Sequence, residues 1–185
     1  MKHPSNREFF AYWDGKRGVE RAPDRSDIEP GAVRELLGDI FVLSYDDDAG
    51  YPFRVAGTRV CALLGRDLKD KSFSALFEAE HRREIEDIIT VVAEELLGAV
   101  AGITATAEDG RPEHLELLLL PFKTRAHTPI SLTGLLAPFG HSHSVLSDFK
   151  LTSFRYLAHP PQRFGPRILR KLAIARGLMV YEGLR

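Results

Sequence analysis

Few residues of this chain are of a type that does chemistry. There is one cysteine, Cys61, in the run TRVCALLG. A thiol can act as a nucleophile, but one surrounded by Val60, Leu63 and Leu64 reads first as a small packed apolar group. His81 opens a long amphipathic segment, on the same helical side as Ile85 and Ile88. His141 and His143 form an H-x-H pair, a spacing found in metal sites, with no HExxH, CxxC or nearby third carboxylate to complete a ligand set. This favours a polar loop over a metal centre. His114 and Glu116 alternate along one strand face and can in principle exchange a proton, although a half-exposed strand explains the pattern more simply. The chain carries neither a phosphate-cradling glycine loop nor a G-x-S-x-G nucleophile element.

The elements that must position these groups are legible from periodicity. Ser5 and Glu8 have the spacing of a capping box, which starts a helix at Asn6. Phe9, Tyr12 and Trp13 lie on one side of it, and Asp14-Gly15 weakens or ends it. Those aromatics have two readings: packing on the domain's own core, or a dimer contact, since aromatic residues are enriched at interfaces. Pro30 to Leu37 reads as a short helix closed by Gly38. Asp39 to Tyr45 and Tyr51 to Ala56 are two strands joined by the polar turn DDDAG. Thr58 caps the next helix, which Gly65 ends in a left-handed conformation.

Ile85, Ile88, Ile89, Val92 and Leu96 recur at helical spacing in the clearest helix of the chain, stopped by Gly98. Three strands are then expected: Ala99–Glu108, Glu113–Thr124 and Pro129–Phe139, the first two joined through Asp109-Gly110. Beyond Phe139, GHSHSVLSD reads as a loop and Lys150–Leu157 as a short added strand. The basic tail from Arg163 to Arg176 reads as an imperfectly amphipathic helix.

The run FRVAGTRVCALLGRDLKDKSF, together with the NREFFAYWD opening and the LELLLLPF strand, resembles a PAS domain. Within that fold the chain is similar to a proteobacterial subfamily of small proteins formerly catalogued as a domain of unknown function. The resemblance spans roughly Asn6 to Pro138. It implies an α+β fold: a five-stranded antiparallel sheet with flanking helices, in which the long helix walls a ligand cavity. Amino- and carboxy-terminal helical extensions are expected on either side. The implied organisation is 1–38 as an amino-terminal helical extension, 39–139 as the PAS core, and 140–185 as loop, extra strand and basic tail.

The resemblance also gives two residues a sharper meaning. Haem-binding PAS sensors take their iron ligand from the long helix, which makes His81 a candidate axial ligand. Light-sensing PAS domains use a cysteine that attacks flavin. Cys61 is the corresponding candidate, although TRVCALLG lacks the asparagine-cysteine-arginine-phenylalanine run of those domains and Cys61 lies earlier in the fold. The cofactor, if one is bound, is left open.

Composition bounds the rest. With 185 residues and 44% hydrophobic content, one domain with a substantial core is expected. A net charge of −1, from 25 basic and 26 acidic residues, does not suggest a nucleic-acid binder. The single cysteine fits a reducing compartment. No signal-peptide-like start or apolar run of bilayer-spanning length is present, so a cytoplasmic location is expected.

Two function classes follow. One is a non-catalytic sensory or adaptor module of bacterial signal transduction that binds a small ligand, a signalling protein partner or both, and can form a homodimer. The resemblance implies a partner such as a histidine kinase or a cyclic-nucleotide enzyme. The other is a small α+β enzyme using acid–base residues in the cavity between helix and sheet. A titratable pair pointing into that cavity would favour the second class.

Overall fold

A computed structural model of the chain describes residues 1–140 and 144–157 in full, and the backbone of strands at 169–175 and 178–183. The sheet is antiparallel and six-stranded, in the order β2-β1-β5-β4-β3-β6. Its strands are β1 (Ile40–Ser44), β2 (Phe53–Ala56), β3 (Gly98–Ala107), β4 (Pro112–Pro121), β5 (Ser131–Pro138) and β6 (Leu146–Leu157). The expected five strands are therefore joined by a sixth. It begins four residues before Lys150 and pairs with β3 from Gly98↔Leu157 to Ala107↔Leu146.

One face of the sheet carries α2 (Thr58–Leu64) and α3 (Ala79–Glu95). The period of α3 delivers Ile85, Ile88, Ile89 and Val92, all buried, onto Leu115, Leu117 and Leu119 of β4 and Ala99, Ala101 and Ile103 of β3. The opposite face is covered by α1 (Pro4–Arg17), whose Phe9 and Trp13 pack with Leu118, Leu120, Leu135 and Ala137. Alternation along β4 thus feeds two cores. Residues of 1–38 and of the expected core 39–139 share the second of them.

The helix ends depart from the expected caps. The amino-terminal helix starts at Pro4, with His3 as N-cap accepting the Ser5 amide on Nδ1 at 3.2 Å. Proline suits the first helical position, where its missing N–H has no intrahelical partner, so Pro4 starts the helix ahead of the Ser5–Glu8 box. The helix runs through Gly15 to Arg17, whose Nε donates to Asp14 at 2.6 Å, and stops at Gly18 with φ +56°. Gly57, not Thr58, is the N-cap of α2. The Gly38 carbonyl accepts the Arg59 and Val60 amides at 2.9 and 3.1 Å and takes over the work of a side-chain cap. Gly65 ends α2 at φ +62° as expected, whereas α3 ends at Leu96 with φ +53°, two residues short of Gly98.

The carboxy-terminal helix is corrected: the backbone there forms two antiparallel strands, β7 (Leu169–Ala175) and β8 (Leu178–Gly183). The sequence reason is local. Val180 and Tyr181 favour extended backbone, which offsets an already imperfect helical stripe.

Candidate functional site

The resemblance directs attention first to the space between α3 and the sheet. The core on that face of the sheet is rich in phenylalanine. Phe41 of β1, Phe53 of β2, Phe73 and Phe77 from the segment between α2 and α3, and Phe149 of β6 are all buried. Ring centroids lie 5.2 Å apart for Phe41–Phe73, 5.5 Å for Phe53–Phe73, 5.7 Å for Phe73–Phe77 and 6.0 Å for Phe77–Phe149. These are the offset and edge-to-face separations that aromatic quadrupoles favour. Gly134 makes room for the group, since a Cβ there would sit 2.3 Å from Cζ of Phe41.

His81 lies outside this interior. It is half-buried on the first turn of α3, its Nε2 3.4 Å from an Oε1 of Glu80, and Glu78 joins them with all three donors within 4.8 Å of one another. His81 is not among the residues of the phenylalanine core and sits instead beside two carboxylates. Cys61 is half-buried against the core from α2, with Sγ 4.0 Å from the Ala56 carbonyl. His141 and His143 lie outside the described residues.

The aromatic face of α1 divides. Phe9 and Trp13 are 0% exposed within the single chain, and Trp13 Nε1 donates to the Pro121 carbonyl at 3.0 Å. These two rings pack on Leu118, Leu120 and Leu135 within the single chain, as the packing reading has it. Tyr12 is half-buried, and its hydroxyl accepts the Glu29 amide at 2.8 Å.

The acid–base pair on β4 also resolves into separate roles. Glu116 is 5% exposed. Its carboxylate accepts the Lys2 amide at 2.6 Å, the His3 amide at 3.0 Å and Asn6 Nδ2 at 3.1 Å. Burial pushes this carboxyl up; the Lys2 and His3 amides and the Asn6 side chain outweigh it and hold the group below the ordinary carboxylate range. Glu116 thus ties the start of α1 to the middle of the sheet. His114 Nδ1 instead lies 3.1 Å from Thr104 Oγ1. His114 and Glu116 line an open groove of about 520 Å³ beside Lys2, Phe139, Ser153 and Arg155, floored by Gly102, where a Cβ would come within 2.9 Å of the Thr152 and Ser153 hydroxyls. Each titratable group in the pair is engaged with a different partner.

A smaller concavity was not anticipated. The β1–β2 turn and α3 enclose about 210 Å³ lined by Tyr45, Tyr51, Ser72, Ser74, Glu86 and Thr90, among others. The Tyr45 and Tyr51 centroids are 5.4 Å apart with planes at 63°. The sequence signal was present: a tyrosine on each side of the turn DDDAG. Antiparallel pairing brings such residues side by side.

Among the described residues, no helix is long and apolar enough to cross a membrane. The family model described as "PAS domain" matches residues 1–137. No curated protein matches the chain. Among solved structures, the chain is similar to the LOV protein of Rhodobacter sphaeroides, at 13% identity and TM-score 0.44, covering 56% of this chain and 60% of that one. It is also similar to the PAS domain of a protein from Colwellia psychrerythraea, at 13% identity and TM-score 0.44, covering 60% of this chain and 98% of that one. A third is the PAS domain of an HTR-like protein from Haloarcula marismortui, at 19% identity and TM-score 0.39, with 59% and 91% covered.

Proposed function

The chain belongs to the PAS domain family, and from that premise we propose that it is a non-catalytic sensory and adaptor module of bacterial signal transduction, acting through a signalling protein partner and holding no prosthetic group in its core. The observation that carries this reading is the aromatic interior: Phe41, Phe53, Phe73, Phe77 and Phe149 are buried in ring-to-ring contact within the core under α2 and α3. A core packed to native density transmits displacement from one face to the other, because its side chains have no voids into which to relax. Such a module passes on a change of shape at its surface and not a change in the redox state of a buried group.

The engagement of Glu116 by the amino-terminal segment, and of His114 by Thr104, supports the non-catalytic reading over the small-enzyme alternative. An acid–base pair needs its groups within reach of one reacting atom with protons free to move, whereas Glu116 is spent on holding α1. The reading places the protein in the cytoplasm, in line with its single cysteine.

Absorbance spectroscopy of freshly purified protein, paired with native mass spectrometry of the same sample, tests the proposal. The expected result is a colourless protein at the mass of the bare chain. A Soret or flavin band with matching added mass would overturn it and return His81 or Cys61 to the role of cofactor contact.

A further inference from the structure

The pocket between the β1–β2 turn and α3 differs in kind from the phenylalanine interior beside it. Ile89, itself buried, belongs to its lining, and Tyr45 and Tyr51 present two aromatic surfaces set at 63° to one another. Glu86 of α3 lines the same pocket. Its Oε1 accepts the Ser74 hydroxyl at 2.7 Å, and Ser74 in turn lies 3.1 Å from Ser72, which orients the carboxylate from the neighbouring segment. The Thr90 hydroxyl donates to the Glu86 backbone carbonyl at 2.9 Å and is thereby occupied. Among the described residues that line the pocket, Glu86 carries the one formal charge and there is no lysine or arginine.

The neighbouring turn is acidic. The turn that forms the pocket's outer wall contains Asp46, Asp47 and Asp48, and Arg54 is drawn off toward Asp46 at 3.6 Å and Asp70 at 3.2 Å. Burial first, then the negative charge of Glu94, keeps the Tyr51 phenol neutral well into the alkaline range, so its ring stays an uncharged aromatic surface. Aromatic faces attract cations through the ring quadrupole, and more strongly where the cation is partly desolvated. A carboxylate in the same lining adds direct charge pairing. No lysine or arginine lines the pocket to pair with an anion, and Glu86 pairs more strongly with a cation than with a neutral donor.

We infer that this pocket binds a small organic cation, an alkylammonium head group seated against the Tyr45 and Tyr51 rings and paired with the Glu86 carboxylate. The inference rests on reading the chain as a non-catalytic module and gives that module an input of its own, at the rim of the core. The site adjoins both the β1–β2 turn and α3, so an occupant bears on two elements that pack on the phenylalanine cluster.

The test uses the full chain and choline as the probe, followed by proton–nitrogen correlation NMR. Sodium chloride at matched ionic strength and the uncharged isostere of choline, with a quaternary carbon in place of nitrogen, serve as controls. Choline is expected to produce saturable shifts at the amides of the Tyr45–Tyr51 turn, Ser72, Ser74 and Thr90, and the isostere to bind about tenfold more weakly or worse. Glu86→Gln and Tyr45→Leu, both at exposed positions, are each expected to weaken choline by about tenfold while the rest of the spectrum is retained. Shifts reproduced by sodium chloride, equal binding of choline and its isostere, or unchanged choline affinity in both variants would each overturn the inference. None of these results bears on the absorbance and mass measurement, so a failure here leaves the reading of the module intact.

Discussion

Phe73→Ala is the perturbation that bears most directly on the aromatic interior. Phe73 is 1% exposed and lies at the centre of the cluster, within 5.2 Å of Phe41, 5.5 Å of Phe53 and 5.7 Å of Phe77 by ring centroid. Truncating a buried phenylalanine to alanine costs about 3–5 kcal/mol, from lost transfer energy and the cavity left behind. Three aromatic neighbours place this site at the upper end, since each such pair adds roughly 0.5–1.5 kcal/mol beyond area burial. The neighbours are held from β1, β2 and the segment before α3, which limits collapse into the hole. We expect a loss of about 4–5 kcal/mol, a large share of the roughly 5–15 kcal/mol that holds a domain together.

The assay is urea unfolding followed by circular dichroism, comparing wild type, Phe73→Ala and Phe73→Leu, with the slope checked for constancy. Phe73→Leu, which keeps most of the volume, is expected to cost about 1–2 kcal/mol. A persistent cavity should also bind a small apolar molecule such as benzene in the alanine variant and not in wild type. A loss below about 1 kcal/mol at unchanged slope would mean that Phe73 does not fill tightly packed space. The argument against a prosthetic group would then fall with it.

Glu116→Gln is expected to cost about 2 kcal/mol at neutral pH, because a charge-assisted acceptor of two backbone amides becomes a neutral one that also presents an N–H. The folded-state pKa of Glu116 is lowered, so its contribution is fully present above the ordinary carboxylate pKa and fades as pH falls through the folded value. The gap between wild type and variant should therefore narrow in acid, and denaturation showing a pH-independent gap would refute the clasp. Gly57→Ala would place a Cβ 2.3 Å from the carbonyl oxygens of Leu37 and Gly38; backbone cannot yield there, and a loss of about 2–4 kcal/mol is expected by thermal or urea unfolding. Gly31→Ala, with nothing within 4 Å of the new Cβ, is the near-neutral control. Trp13→Phe removes the donor to the Pro121 carbonyl and should cost about 1–2 kcal/mol while leaving the sedimentation behaviour unchanged.

Where structure depended on local pattern, the sequence was readable. The Ile85, Ile88, Ile89, Val92 stripe became α3, Asp109-Gly110 became a turn with Gly110 at φ +79°, and Gly65 closed α2. The aromatic interior was not readable for a physical reason. Phe73 and Phe77 come from the irregular stretch between α2 and α3, which has no period to reveal which way a side chain points. β6 was underestimated because its pairing with β3 is remote in sequence and its outer edge is solvated, so hydrophobicity marks it weakly. Glu116 looked like the polar half of an alternating strand, and only the packing of α1 showed that this half was covered. In the tail, strand propensity prevailed over a flawed helical stripe.

The two cores that meet on β4 bear on how this protein can change length. Leu115, Leu117 and Leu119 belong to one core, and Leu118 and Leu120 to the other. Adding or removing a single residue within the strand would exchange the two sets, carrying Glu116 to the phenylalanine side and stranding the amino-terminal segment without its anchor. In the middle of β4 a single-residue change must therefore be absorbed by a bulge, as at the register shifts in the β3–β6 pairing, whereas a change of two keeps both faces. Odd changes without such a bulge are confined to its ends, at the Asp109-Gly110 turn or beyond Pro121, and descendants of this sequence should record that parity.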